Sequence, residues 1–144
     1  MPIPIECSYM NLTSDSTVKR PGVLVVLRNR PSEKRVIKTT PLWALVDSGA
    51  DFCVFPRWVA DELELPWSKG RYRPVSALGQ AQVPAYEHTV SIELLCYPRH
   101  ELQTKVRFLA HGLPFALLGQ KGFFENLLIT FDHHFGKFWL YPRF

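Results

Sequence analysis

Short apolar runs, each broken by proline or another turn residue, recur from one end of this chain to the other. The 144 residues include 12 prolines, and each proline removes a backbone hydrogen bond from any helix or central strand that contains it. Short strands joined by turns are therefore favoured over long helices. No apolar run approaches the ~20 residues that a membrane-spanning helix needs. We predict one mostly β domain over residues 1–144, with enough bulk to bury a core.

The apolar runs also suggest the order of the strands. Residues 29–34 are predicted to form a turn, and a short helix is predicted to open at Pro56 and to end at Pro66. The predicted strands are an edge strand within residues 2–10, strands over 23–27 and 35–46, a long hairpin over 71–95, strands over 105–110 and 115–118, and a closing hairpin over 129–132 and 137–141.

Charge and cysteine content narrow the class of protein. The formal net charge is +4, but the basic residues are scattered, so we expect a solvated surface and no nucleic-acid or membrane partner. Cys7, Cys53 and Cys96 are far apart and odd in number, which leaves no closed disulfide framework. Residues 1–17 contain no apolar segment typical of a signal peptide. A reducing compartment, the cytoplasm, is therefore expected.

Other site chemistries find little support in the sequence. The five histidines show no metal-ligand spacing, and the segment from Gly119 to Gly122 lacks the glycine spacing of a phosphate-binding loop. Cys53 lies in an apolar run, so we expect a buried and inert thiol. The sequence predicts neither a metal nor a cofactor.

The most informative stretch covers residues 44–51, where an apolar run leads into two carboxylates. Asp47 follows the run, and Asp51 follows four positions later. Gly49 is expected to supply a sharp turn that glycine enters cheaply. Asp47 would then lie where a core strand ends, in a partly buried site where a carboxylate charge needs a hydrogen-bond donor or a cation as partner. Taken alone, Asp-Ser-Gly is also typical of an ordinary turn at the end of a strand.

A second segment favours a functional site over an ordinary turn at Asp-Ser-Gly. Leu117, Leu118 and Gly119 end a later apolar strand, and a predicted hairpin with Gly79 near its tip lies between the two segments. In its order of motifs the chain resembles the retropepsin-like aspartic proteases, and in particular their stand-alone cellular members. The resemblance covers about residues 20–141, taken as the core of the domain.

The resemblance implies a fold and an activity. The fold would be a closed antiparallel β barrel with one or two short helices, assembled as a homodimer. The chain has one Asp-Ser-Gly, and the chemistry needs two carboxylates that share a proton. The implied activity is that of an aspartic endopeptidase acting on an extended polypeptide. The alternative is a catalytically silent module of the same fold that serves dimerisation or peptide binding.

Site roles follow from the same resemblance. Asp47 would be the catalytic acid/base, the Ser48 hydroxyl would hydrogen-bond across the dimer, and the Gly49 amide would donate to the aspartate pair. Terminal strands within residues 2–7 or 137–141 would form the outer dimer interface. The residues expected to contact substrate are Ala50, Asp51, Leu78, Gly79 and Gln80.

The chain departs from the pattern of this family at three places, one of them the hairpin tip, where Ala77 and Gln80 make the tip less glycine-rich than in viral members. Ser48 replaces the commoner threonine, which keeps the hydroxyl and loses a methyl group. Gln120 stands where many relatives carry an arginine that pairs with the second aspartate, so a different support for Asp51 is expected. Lys121 is adjacent but is expected to point elsewhere.

Overall fold

A computed structural model of the chain describes residues 3–76 and 81–144, and it confirms the mostly β prediction. Within those residues the one α-helix is α1 (Arg57–Glu62), two 3₁₀ turns cover Trp67–Lys69 and Phe124–Asn126, and no helix has the length and apolar character that crossing a membrane requires. The strands are β1 (Ile5–Ser8), β2 (Gly22–Ser32), β3 (Arg35–Lys38), β4 (Leu42–Val46), β5 (Val54–Pro56), β6 (Arg71–Tyr72), β7 (Ala85–Leu94), β8 (Leu102–Leu109), β9 (Ala116–Leu118), β10 (Leu127–Asp132) and β11 (Lys137–Pro142).

Six of these strands close into a barrel. Around the barrel β2 pairs with β4, β4 with β9, β9 with β5, β5 with β8 and β8 with β7, and β7 returns to β2. The β4–β9 and β5–β8 pairings are parallel, and the other pairings of the ring are antiparallel. The expected closed barrel is confirmed, with two parallel pairings among antiparallel ones. Closure leaves no open strand edge within the ring.

The barrel interior is filled by alternate residues of its strands. In β2 the inward residues are Val23, Val25 and Leu27, all buried, whereas Leu24 and Val26 between them are half-buried. Burial of each large apolar side chain contributes about 1.5–3 kcal/mol. This packed interior is a rigid base for the loops that leave β4 and β9. The fully buried aromatic side chains are Phe55, Phe108, Phe123 and Phe138.

The two ends of the chain form a separate sheet in the order β1-β11-β10. Leu140 of β11 aligns with Ile5 of β1 on one side and with Ile129 of β10 on the other. The predicted N-terminal edge strand and closing hairpin are thereby confirmed. Because β11 lies in the middle, both of its backbone edges are paired within the chain, whereas β1 and β10 each keep an outer edge.

Two predicted boundaries were wrong in the first half of the chain. β2 continues to Ser32 through most of the predicted turn, and the predicted strand over residues 35–46 is two strands, β3 and β4. The break falls at Thr39 and Thr40, before Pro41. Thr39 is buried and bonds to Leu27 twice: its N–H donates to the Leu27 carbonyl at 3.0 Å, and its hydroxyl accepts from the Leu27 N–H at 3.1 Å. A side chain that replaces a backbone acceptor interrupts the ladder there.

The predicted helix after Pro56 is confirmed, but it ends at Glu62, short of Pro66. Glu64 has a φ of 56°, its N–H donates to the Asp61 carbonyl at 3.0 Å, and the Leu65 N–H donates to the Ala60 carbonyl at 2.9 Å. These bonds form a Schellman motif, which closes a helix with one left-handed residue. Glutamate occupies the position that glycine usually holds, so this helix end could not be predicted from the sequence.

Candidate active site

Asp47 is the first residue after β4 and lies at the end of a buried pair of parallel strands. β4 and β9 align Leu45 with Leu117 and Val46 with Leu118. The Asp47 N–H continues this ladder by donating to the Leu118 carbonyl at 3.0 Å. Val46 and Leu118 are buried and Asp47 itself is half-buried, so the carboxylate lies where the core opens to solvent. The predicted strand leading into Asp47 is confirmed.

A tight turn follows Asp47 and orients its side chain. The Gly49 N–H donates to Asp47 Oδ1 at 2.9 Å, and the Ala50 N–H donates to the Asp47 carbonyl at 3.2 Å. Ser48 and Gly49 are exposed. The carboxylate therefore accepts a bond from its own turn, which restricts its rotamer.

The expected reason for a glycine at position 49 was wrong. Gly49 does not have a positive φ, so the left-handed conformation is not what the turn requires. A Cβ at this position would instead lie 3.2 Å from Asp47 Oδ1, tighter than an ordinary contact. Glycine keeps the carboxylate close to the backbone and open on that side.

The segment after β9 is bonded to the loop that follows Asp47. The Gln120 N–H donates to the Ala50 carbonyl at 2.8 Å. A Cβ at Gly119 would collide with the Phe52 carbonyl and come within 2.6 Å of the Ala50 carbonyl. Glycine is needed at position 119 because the two backbones approach too closely for any side chain. The two segments singled out in the sequence, residues 44–51 and 117–119, are brought together by this contact.

The side chain of Gln120 supports the turn rather than the second aspartate. Its Nε2 donates to the Ser48 carbonyl at 2.5 Å. Asp51 is held through its backbone, since the Lys121 N–H donates to the Asp51 carbonyl at 2.9 Å. Lys121 also forms a parallel bridge with Phe52. Where many relatives are expected to have an arginine beside the second aspartate, this chain has an amide that ties Ser48 to the end of β9.

Asp47 borders an open cleft of about 850 Å³. Gly49, Ala50 and Asp51 line it too, so four of the residues predicted for the site share one cavity. Ser48 lies apart from them, in a neighbouring hollow of about 350 Å³ that also contacts Asp47. The remaining residues that line the main cleft are Phe52, Val54, Pro74, Val75, Ser76, Arg107 and Leu117.

The predicted hairpin over residues 71–95 reaches this cleft. Val75 and Val83 form an antiparallel bridge, and Val75 lines the cavity. Leu78, Gly79 and Gln80, predicted to contact substrate from the hairpin tip, lie outside the described residues.

Arg107 is a cleft residue that the sequence did not reveal. It lies in β8, and its guanidinium carbon is 3.5 Å from the centre of the Phe52 ring, a cation–π contact. Burial is the main cause of a lowered pKa of the Arg107 guanidinium; Arg73 lowers it further, and the carboxylates of Glu87 and Asp51 oppose the shift. The only sequence signal was an arginine within a β-branched and aromatic strand, which is not specific.

Metal chemistry and thiol chemistry are the alternatives to an aspartate-based site. Among residues 3–76 and 81–144, no group of three or more His, Cys, Asp or Glu side chains could hold a metal ion. Cys53 is buried, as predicted, and burial raises the pKa of its thiol to about 11. A thiol with so high a pKa is a poor nucleophile at neutral pH.

Comparison with known proteins supplies the family. A family model described as aspartyl protease matches residues 35–114, a segment that contains Asp47, the turn after it and the strands β5 to β8. No curated protein matches the sequence significantly.

Two solved structures resemble the fold. One is a retropepsin-like aspartic protease from Rickettsia conorii, with a TM-score of 0.65 and 17% identity over 97% of this chain and 100% of that one. The other is EIAV protease complexed with the inhibitor HBY-793, with a TM-score of 0.47 and 22% identity over 74% of this chain and 88% of that one. The first likeness covers nearly the whole chain and identifies the barrel as retropepsin-like.

Proposed function

Because this chain belongs to the aspartyl protease family and has the retropepsin-like fold, we propose that it is an aspartic endopeptidase whose catalytic residue is Asp47. One observation carries the proposal. Within the segment matched by the family model, Asp47 is fixed by the strand ladder and by the turn amide of Gly49, and its carboxylate borders a cleft large enough for a peptide.

The proposed reaction uses two Asp47 carboxylates and one water molecule. Two carboxylates about 3 Å apart cannot both ionise, so the pair holds a single proton. The ionised member takes a proton from the water, and the protonated member donates to the carbonyl of the scissile peptide bond. The water oxygen bonds to the carbonyl carbon and gives a tetrahedral intermediate. The carboxyl that took the proton of the water then donates it to the peptide nitrogen, the C–N bond breaks to release the amine, and the other carboxylate regains its proton as the new carboxylic acid forms. The Gly49 amide, which donates to Asp47 Oδ1, holds the carboxylate in the required orientation.

A homodimer follows from the single Asp-Ser-Gly in this sequence. A two-fold axis between two copies would place one Asp47 beside the other. Ser48 supports this arrangement, because it is exposed next to Asp47 in the hollow that Tyr9 and Phe131 also line. Of the two terminal segments considered for the outer interface, β1 keeps a free edge and β11 does not. We therefore favour residues 2–7 over residues 137–141.

The proposed substrate is a polypeptide in extended conformation. Phe52, Val54 and Leu117 give the cleft beside Asp47 an apolar wall, and the carbonyl of the exposed Gly49 can accept a bond from a peptide main chain. We propose that residues 1–144 act as one domain. The three free cysteines support a reducing compartment such as the cytoplasm.

The proposal is tested with a diverse peptide library. We expect cleavage by the natural chain, inhibition by pepstatin and no cleavage by Asp47→Asn. Sedimentation at the enzyme concentration used for activity is expected to show a dimer. A monomer that cleaves and is inhibited by pepstatin contradicts the paired mechanism. A folded dimer that binds peptides and cleaves none of them would instead be a silent binding module.

A further inference from the structure

The cleft continues from Asp47 into a strongly basic region. A second cavity of about 390 Å³ adjoins the first, and both are lined by Phe52 and Arg107. Five cationic side chains and only two carboxylates line this second cavity. We call the cationic group the basic end of the cleft: Arg71, Arg73, Lys105, Arg107 and Lys121.

We propose that the basic end of the cleft binds an acidic side chain of the peptide substrate and so makes the enzyme selective for substrates with Asp or Glu on the flanks of the scissile bond. The inference rests on the proposed peptidase function and names the class of substrate for that same site.

The register of the sheet connects the two ends of the cleft. Leu117 aligns with Val54, and Val54 aligns with Arg107. Arg107 aligns in turn with Glu87, and Glu87 with Arg71. Aligned residues of neighbouring strands point to the same face of a sheet. One continuous row therefore runs from the apolar wall beside Asp47 to the basic end.

The spacing of this row sets the reach of the proposed contact. Neighbouring strands lie about 4.8 Å apart, so Arg107 is about 10 Å and Arg71 about 19 Å along the row from Leu117. An extended peptide advances about 3.3 Å per residue. The acidic side chain would thus lie about three to six residues from the scissile bond. In a two-fold dimer each protomer supplies one basic end, so the preference is expected on both sides of that bond.

In the described part of the chain, no cation of the basic end has a carboxylate oxygen within 4.0 Å. Four of the arginines elsewhere have a carboxylate within 4.0 Å, as Arg28 has Glu93 at 2.6 Å and Arg30 has Glu101 at 2.8 Å. Of the two carboxylates nearby, Glu125 already accepts the Gly122 N–H at 2.8 Å. Glu87, the other, lies between Arg71 and Arg107 in the row, so two carboxylates face five positive charges and offset only part of them.

Arg107 has an unsatisfied donor as well. Its Nε is buried and has no hydrogen-bond partner among the described residues. Its Nη1 reaches only the Pro74 carbonyl, at 3.5 Å, and the Phe52 ring fixes the guanidinium plane from one side. A buried donor without a partner is unfavourable, and an acceptor on the substrate would remove that cost. A carboxylate is the acceptor that best matches a planar guanidinium, since it can accept two parallel bonds.

The test compares peptides that differ only in charge. Once a cleavage site is mapped, peptides are made in pairs that differ at one flanking position. The acidic twin has Asp or Glu at that position, and the neutral twin has Asn or Gln. We expect kcat/KM to be about tenfold higher for the acidic twin at positions three to six, the size of one charge-assisted hydrogen bond. The preference is expected to shrink in high salt and to disappear below about pH 4, where the substrate carboxyl is protonated.

Variants then assign the preference to the basic end. The double variant Arg71→Gln/Arg73→Gln is expected to reduce the preference for the acidic twin to less than about twofold. The charge reversal Arg71→Glu is expected to make the enzyme prefer a peptide with Lys at that position over the acidic twin. Glu87→Gln removes a competing carboxylate, so it is expected to increase the preference. Arg35→Gln is the control, because it removes one charge from an exposed arginine that is paired with Glu64. Thermal unfolding of each variant separates a lost preference from a lost fold.

The outcomes separate this inference from the proposed function. Cleavage without a preference for acidic twins, or a preference that Arg71→Gln/Arg73→Gln leaves intact, overturns the inference and leaves the peptidase proposal standing. If no peptide is cleaved, the peptidase proposal fails, and the affinity for each peptide then tests the inference. Fluorescence anisotropy with the Asp47→Asn dimer is then expected to show about tenfold tighter binding of the acidic twin. Equal affinity for both twins overturns the inference.

Discussion

At the Asp47 end of the cleft the backbone supplies most of the contacts, whereas at the basic end the contacts belong to long side chains. Asp47 is held by amides of its own turn and by the Leu118 carbonyl, and Gly119 lets the two backbones touch. Arg71 and Arg107 reach the cleft with their side chains from β6 and β8. Substitutions at the first end are therefore expected to affect catalysis and stability, and those at the second end to affect substrate choice.

The largest effect is expected from Asp47→Asn, which tests the Asp47 end directly. Asparagine can still accept the Gly49 N–H, so the turn and the dimer should persist, but it cannot ionise. We expect kcat to fall by about 10³-fold or more, measured as peptide hydrolysis. Asp61→Asn, an exposed change in α1, is the control and should retain activity. Cleavage by Asp47→Asn at the natural rate would exclude the mechanism.

The pH dependence of activity tests whether two carboxyl groups share one proton during catalysis. Activity requires one protonated and one ionised member, so it should follow a bell-shaped curve with an acidic optimum, about pH 4 to 6. The basic end has no part in this chemistry, so the bell should be the same for neutral peptides in Arg71→Gln/Arg73→Gln. A profile that is flat from about pH 4 to 9 would contradict a shared proton.

Gly119→Ala is expected to disrupt the Asp47 end by steric collision. The new Cβ would meet the Phe52 and Ala50 carbonyls and separate β9 from the loop after Asp47. We expect a loss of about 1–3 kcal/mol in the free energy of unfolding, measured by denaturant titration, together with lower kcat. Gly112→Ala is the comparison. Its Cβ meets nothing within 4 Å, so only the strain of a φ of +83° remains, about 1 kcal/mol.

A smaller effect is expected from Gln120→Ala, which removes the side-chain bond to the Ser48 carbonyl. Because Gln120 is exposed, we expect at most about 1 kcal/mol of lost stability, with a decrease in kcat of a few fold as the turn loosens. Gln103→Ala, an exposed amide in β8, is the matched control for stability and kcat. Unchanged kcat in Gln120→Ala would show that the amide does not position the turn.

The smallest effect concerns Glu93, a carboxylate outside the cleft that is paired with Arg28. The Arg99 N–H and the Arg28 guanidinium, bonded to Glu93 at 2.9 Å and 2.6 Å, lower the pKa of its carboxyl. A lowered pKa stabilises the fold above the ordinary carboxyl range, and this gain is lost as the pH falls through the lowered value. Glu93→Gln should cost less than about 1 kcal/mol at pH 7 and nothing in strong acid, measured by denaturant titration across pH. A cost that persists in acid would assign the effect to packing rather than charge.

Local patterns made much of the fold predictable. The apolar run before Asp47, the alternation in β2 and the turn residues of the closing hairpin each act within a few neighbours, so the sequence indicated these elements correctly. The breaks were less predictable because their causes are distant or unusual. Thr39 ends a strand through two bonds to Leu27, and Glu64 ends α1 in a conformation that glutamate rarely adopts.

By itself the sequence determined which residues surround the candidate catalytic carboxylate, because Asp47, Ser48 and Gly49 are adjacent and their turn closes on itself. Only the tertiary structure decided what faces that carboxylate along the cleft. Arg71 and Arg107 looked like scattered surface charges in the sequence, yet β6, β7 and β8 align them across a single residue, Glu87. The physical reason is that side-chain direction in a barrel depends on strand register, which is set by pairing between distant segments and leaves no local pattern to find.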